Sequence, residues 1–173
     1  MKHIVIGFSR PKKWHIFSSL IMWWDKSDVS HGYFRFHSVS WGQDFIYQAS
    51  HSRTNFMGGD YFDSLNVTVE EFFIPVDDGT EAKVGALCVK REGKPYAIKQ
   101  AIGIILVNIT YLISFGKIKI KKNPFANGDA ETVCIEEVAE ILKETLGLSS
   151  GLDTDMISVK PFREWVRSIA VKS

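Results

Sequence analysis

Residues 3–9 form an apolar run rich in Ile and Val, which predicts a β-strand. Pro11 then opens a predicted helix through about Trp24, with apolar positions at Trp14, Phe17, Leu20, Ile21 and Trp24. Residues 25–28 are a polar loop. Two short strands follow at 33–36 and 45–49, joined by a turn over 41–44 into an antiparallel hairpin. Gly58-Gly59-Asp60 reads as a loop capping a short helix near 61–65, and 68–76 as another strand. After Pro75 the chain turns near Thr80 into a helix through about Arg91, ended by Gly93. Residues 96–115 read as a long apolar helix, with Gly103 as a candidate break. The period-two run Lys117-Ile118-Lys119-Ile120-Lys121-Lys122 is a short strand or an extended basic segment. A loop over 123–129 leads to a helix that carries Cys134, with Asp129 or Thr132 as N-cap and Gly147 as terminator. A short helix over 161–171 ends the chain. The pattern predicts an α+β fold: a small antiparallel sheet with helices packed around it.

At 173 residues the chain suits a single domain with a substantial core. Its 45% hydrophobic content excludes a disordered class, and a net charge of +1 gives no global case for nucleic acid. The N-terminal apolar run is too short for a signal peptide, and no small-residue cleavage site follows it. The apolar stretch 101–115 falls short of the roughly 20 residues that a membrane span needs. The expected setting is therefore cytoplasmic. No residue spacing points to a metal site, and no glycine loop points to a phosphate cofactor, so no cofactor is expected. Two cysteines are too few for a disulfide framework.

The chemistry centres on Cys134. A thiol at a helix N-terminus meets the positive end of the helix dipole, which favours thiolate. On the helix wheel Cys134, Val138, Ile141 and Leu142 share the inward side, and Glu136, Glu137, Glu140, Lys143 and Glu144 fall on the other. Cys88, mid-helix among apolar residues, is a core residue by contrast. Of the five histidines, His31 opens a strand directly after a loop, where it can reach a neighbouring helix end; His51 follows a strand end and can line a cleft. Gln48, among apolar neighbours on a strand, needs a hydrogen-bond partner, and its carbonyl can accept an imidazole N–H.

Together these segments resemble an NlpC-type cysteine peptidase in circularly permuted order. Ser30-His31 followed by Tyr33-Phe34-Arg35-Phe36 resembles that superfamily's histidine strand. Ile46-Tyr47-Gln48-Ala49-Ser50 resembles the strand of the third catalytic residue. Val133-Cys134-Ile135-Glu136-Glu137-Val138-Ala139 resembles the cysteine helix, and Gly93-Lys94-Pro95-Tyr96 the segment that brings a tyrosine near the active site. The resemblance spans most of residues 3–147 and is similar to small stand-alone bacterial and bacteriophage members. It implies a papain-like fold and a Cys134–His31–Gln48 catalytic set, with Tyr96 supporting the substrate or the oxyanion. Two positions depart from the pattern: Ile135 stands where Ser is common, and Gly32 where a β-branched residue is common.

The implied activity is that of a thiol protease or amidase acting on a peptide or cell-wall peptide through an acyl-enzyme. A lipid-directed acyl hydrolase or acyltransferase is an alternative, since permuted members act on lipids and residues 101–122 join an apolar to a basic segment that suits a membrane surface. A third reading is a virion or assembly protein that keeps the fold with little catalysis and binds other virion proteins. No nucleic-acid partner is expected.

Overall fold

The computed structural model describes residues 2–50, 52–97, 133–151 and 158–170, with positions 102, 103, 106, 107, 110, 113–115 and 117. It is an α+β fold. Five strands, β1 (Lys2–Pro11), β2 (His31–Ser38), β3 (Gln43–Ser50), β4 (Arg53–Gly58) and β5 (Asn66–Val76), form one antiparallel sheet in the order β4-β3-β2-β1-β5. Five helices are described: α1 (Ile16–Asp25), α2 (Gly59–Leu65), α3 (Asp78–Lys90), α4 (Cys134–Leu146) and α5 (Val159–Ile169).

Strand alternation divides the side chains between two faces. Ile4, Ile6 and Phe8 of β1, Phe34 of β2, Tyr47 of β3 and Ile74 of β5 point to one face. There they pack against α3, α4 and α5 through Val84, Val138, Ile141, Leu142 and Phe162. This is the main core. On the opposite face Tyr33, Ile46 and Phe62 of α2 make a smaller cluster. Tyr33 lies on Gly7: a Cβ there would meet the ring at 2.1 Å, so the close approach requires glycine.

Helix α5 docks on the body. Phe162 packs against Phe8, and Arg163 donates to Glu70 at 2.8 Å and to Asp28 at 2.6 Å, while Arg167 also reaches Glu70.

Several expectations are corrected. The predicted helix from Pro11 begins only at Ile16, because β1 continues through Pro11, which pairs with Asn66 at the end of the ladder. A proline is tolerated at a strand end, where its missing N–H costs nothing. β4 was not anticipated; its sequence Arg-Thr-Asn-Phe-Met-Gly lacks a clear apolar alternation, and it is an edge strand. Tyr96 does not open a helix. Its N–H donates to Ser52 O at 2.9 Å, and the adjacent Pro95 bridges to Arg53. The N-cap of α4 is Val133, whose N–H is accepted by Glu136 Oε2 at 3.2 Å. Asp129, Thr132, His51, most of 98–117 and all of 118–122 lie outside the described residues.

Candidate active site

His31 opens β2 opposite Ser9 of β1, and Gln48 lies near the end of β3. Their side chains meet: His31 Nε2 and Gln48 Oε1 are 2.7 Å apart. The Gln48 amide nitrogen donates to Met57 Sδ at 3.3 Å, which turns its carbonyl oxygen toward the imidazole. An acceptor at Nε2 requires the proton on that nitrogen and makes Nδ1 the basic one. The ring sits 6.5 Å from Tyr33 in near-parallel stacking and 6.4 Å from Phe62. Tyr33 and Phe62, 4.6 Å apart, form one aromatic wall beside the imidazole.

The wall is itself anchored. Arg35 donates from Nε to Glu71 at 2.7 Å and from its terminal nitrogens to Asp63 at 3.0 Å and Asp44 at 3.2 Å. The Tyr33 hydroxyl donates to Glu71 at 3.0 Å, and burial pushes its pKa up to about 12. Asp63 follows Phe62 on α2, so the ion pairs that hold α2 to the sheet also hold Phe62 beside His31.

Cys134 is the first residue of α4. Its sulfur is approached by the backbone N–H of Gly32, the residue after His31, and by the N–H groups of Ile135 and Cys134 itself. The β2–β3 ladder runs from Ser38↔Gln43 to Phe34↔Tyr47, and Gly32 lies just past it, toward the start of β2. The helix N-terminus and the histidine strand therefore converge at one end of the sheet. A Cβ at Gly32 would stand 2.6 Å from Ile135 Cδ1. The two departures from the resembled pattern thus touch each other: the larger residue at 135 occupies room that a side chain at 32 would take.

The expected thiolate is corrected. Burial pushes the Cys134 thiol up, and this outweighs the N–H groups of Gly32, Ile135 and Cys134, which favour the anion; Glu136 adds to the upward push. Cys134 rests as a thiol. Cys88 is likewise raised, by burial and then by Glu137, and lies in the main core.

The expectation that Glu136 and Glu137 face solvent is also corrected: both are buried, at 3% and 1% exposure. Glu137 accepts from the Tyr47 hydroxyl at 2.9 Å and lies 3.5 Å from Arg91 and 3.8 Å from Lys94. Arg91 also pairs with Glu140 and Glu144. These partners come from β3 and from the segment after α3, so a wheel drawn on α4 alone cannot reveal them.

Tyr96 stands near Cys134. Burial raises its hydroxyl, and Cys134 and Glu136 raise it further. A phenol so placed stays protonated and can donate. The buried hydroxyls of Ser9 and Ser30 flank His31 without a hydrogen-bond partner among the described residues. Met57, Phe62 and Ser9 escaped the sequence reading; for Met57 the missed β4 is the reason. His37, by contrast, lies away from this site and bonds Asp44 at 2.8 Å. Among the described residues no group of three or more His, Cys, Asp or Glu side chains is placed to hold a metal ion.

No family model matches the chain, and no curated protein matches it.

Proposed function

We propose that the protein is a cysteine hydrolase of papain-like fold in circularly permuted order, cleaving an amide bond in a peptide or cell-wall peptide. The observation that carries this reading is the 2.7 Å contact of His31 Nε2 with Gln48 Oε1, at the sheet end where Gly32 packs against Ile135, the residue after the helix-terminal Cys134.

In this reading Cys134 begins as a thiol, and His31 Nδ1 takes its proton as sulfur attacks the substrate carbonyl. Gln48 holds the imidazole in the tautomer that makes Nδ1 basic. The Cys134 backbone N–H, at the first turn of α4 where helix donors lack intrahelical acceptors, faces the developing oxyanion. Tyr96 donates a second hydrogen bond. His31 then returns its proton to the leaving amine, and water, deprotonated by His31, releases the acyl group from sulfur.

The same steps serve an amide or an ester, so bond type follows from what the cleft admits. The test is a screen of peptide and cell-wall peptide amides with wild type and Cys134→Ala. Turnover by the wild type and none by the variant, with an unchanged circular dichroism spectrum, is expected. Equal turnover by both would remove Cys134 as nucleophile.

A further inference from the structure

Helix α1 presents a problem of packing. Seven of its ten residues (Ile16, Phe17, Leu20, Ile21, Met22, Trp23 and Trp24) are apolar, yet none is buried. Ile21 alone among them packs against the main core. Trp23 is 64% exposed and Ile16 54%, two turns apart on one stripe, and Trp14 just before the helix is 79% exposed. An apolar helix left on the surface marks an interaction site.

The charges around it are sorted. Lys12 and Lys13 precede the helix and Lys26 ends it, all exposed and without an ion pair among the described residues. The neighbouring acids turn the other way: Asp25 accepts from the Lys160 N–H at 3.2 Å, and Asp28 is held by Arg163 at 2.6 Å. Asp25 and Asp28 face α5, and the lysines with Trp14 and Trp23 face solvent.

We propose that α1 and the segment leading into it dock on an anionic lipid bilayer. Tryptophan suits the headgroup level, and lysines flanking an apolar helix face are attracted to anionic lipid. A second copy fits less well, because a two-fold contact through this stripe would bring the lysines of both chains together. Among the described residues no helix is long and apolar enough to cross a membrane, so α1 lies on the surface.

The position of α1 has a consequence that rests on the hydrolase reading. The helix connects the end of β1 to the start of β2, and Ser9 of β1 pairs with His31. A bilayer beneath α1 therefore lies at the sheet end that holds the candidate site.

The experiment is flotation of the whole chain with vesicles of phosphatidylcholine alone and of phosphatidylcholine mixed with phosphatidylglycerol, at low and high salt. Binding to the mixed vesicles that weakens with salt, with a blue shift of tryptophan emission, is expected. W14A/W23A and K12E/K13E should each lower the bound fraction about tenfold. Cys134→Ala should bind like wild type, which separates docking from the thiol chemistry. Absence of binding to the mixed vesicles, or binding unchanged in both double variants, overturns the proposal. So does a shift of W14A/W23A from dimer to monomer, or a large drop in its melting temperature, since either means that protein already covers this face.

Discussion

Ile135 and Gly32 make a test at the scale of single residues. With Ile135 Cδ1 only 2.6 Å from where a Cβ at 32 would stand, Gly32→Val should cost about 1–3 kcal/mol of stability through overpacking. Ile135→Ser alone should cost at least about 2 kcal/mol for the lost buried side chain. The double variant should be more stable than the sum of the two predicts, with a coupling of about 1 kcal/mol in urea denaturation; strict additivity would mean that the two sites do not share this space. The His31–Gln48 pair was legible because an apolar strand carrying one amide must satisfy it, and a histidine at the head of the next strand is within reach. The protonation state of Cys134 was not legible. Its helix position argues for thiolate, but its burial, which depends on residues far away in the chain, argues more strongly against it.

At the scale of elements, two helices are seated by charge. Arg91 faces Glu137, Glu140 and Glu144 of α4, and Glu137 is 1% exposed. Removing the guanidinium by Arg91→Ala leaves a buried carboxylate with less compensation, and about 3 kcal/mol should be lost; a loss below about 1 kcal/mol would show that Tyr47 and Lys94 suffice. Helix α5 depends on acids. Arg163 lowers the pKa of Asp28; Glu70 is lowered too, because Arg167 and Arg163 outweigh its burial. A depressed carboxylate contributes stability above its unfolded value, near 4, and loses it as pH falls through the lower folded value. Amide exchange in α5 should therefore accelerate below about pH 4, ahead of the central strands. Because Asp28 is 53% exposed, its share is below about 1 kcal/mol. Exchange in α5 that shows no such acceleration in acid would mean that its apolar face, not its ion pairs, holds it. The sequence revealed most elements through their periodicity. It concealed β4, whose polar residues satisfy an edge position, and it misdirected the start of α1, where Pro11 suits a helix entry as well as a strand end.

Across the whole molecule, the sheet sets the site. Its order puts β2 between β1 and β3, so one strand end meets the His31 partner on β3, the Ser9 hydroxyl on β1 and the first turn of α4. Under the proposed function, Cys134 and His31 act as nucleophile and base. The rate of alkylation of Cys134 and Cys88 against pH, mapped by mass spectrometry in wild type and His31→Ala, decides between this pairing and two structural cysteines. Because burial raises the Cys134 thiol, its labelling should climb with pH through neutrality instead of being complete in acid, and it should outpace Cys88 at every point. His31→Ala should slow Cys134 toward the Cys88 rate and leave Cys88 unchanged. Two equally slow cysteines, indifferent to the loss of His31, would contradict the account.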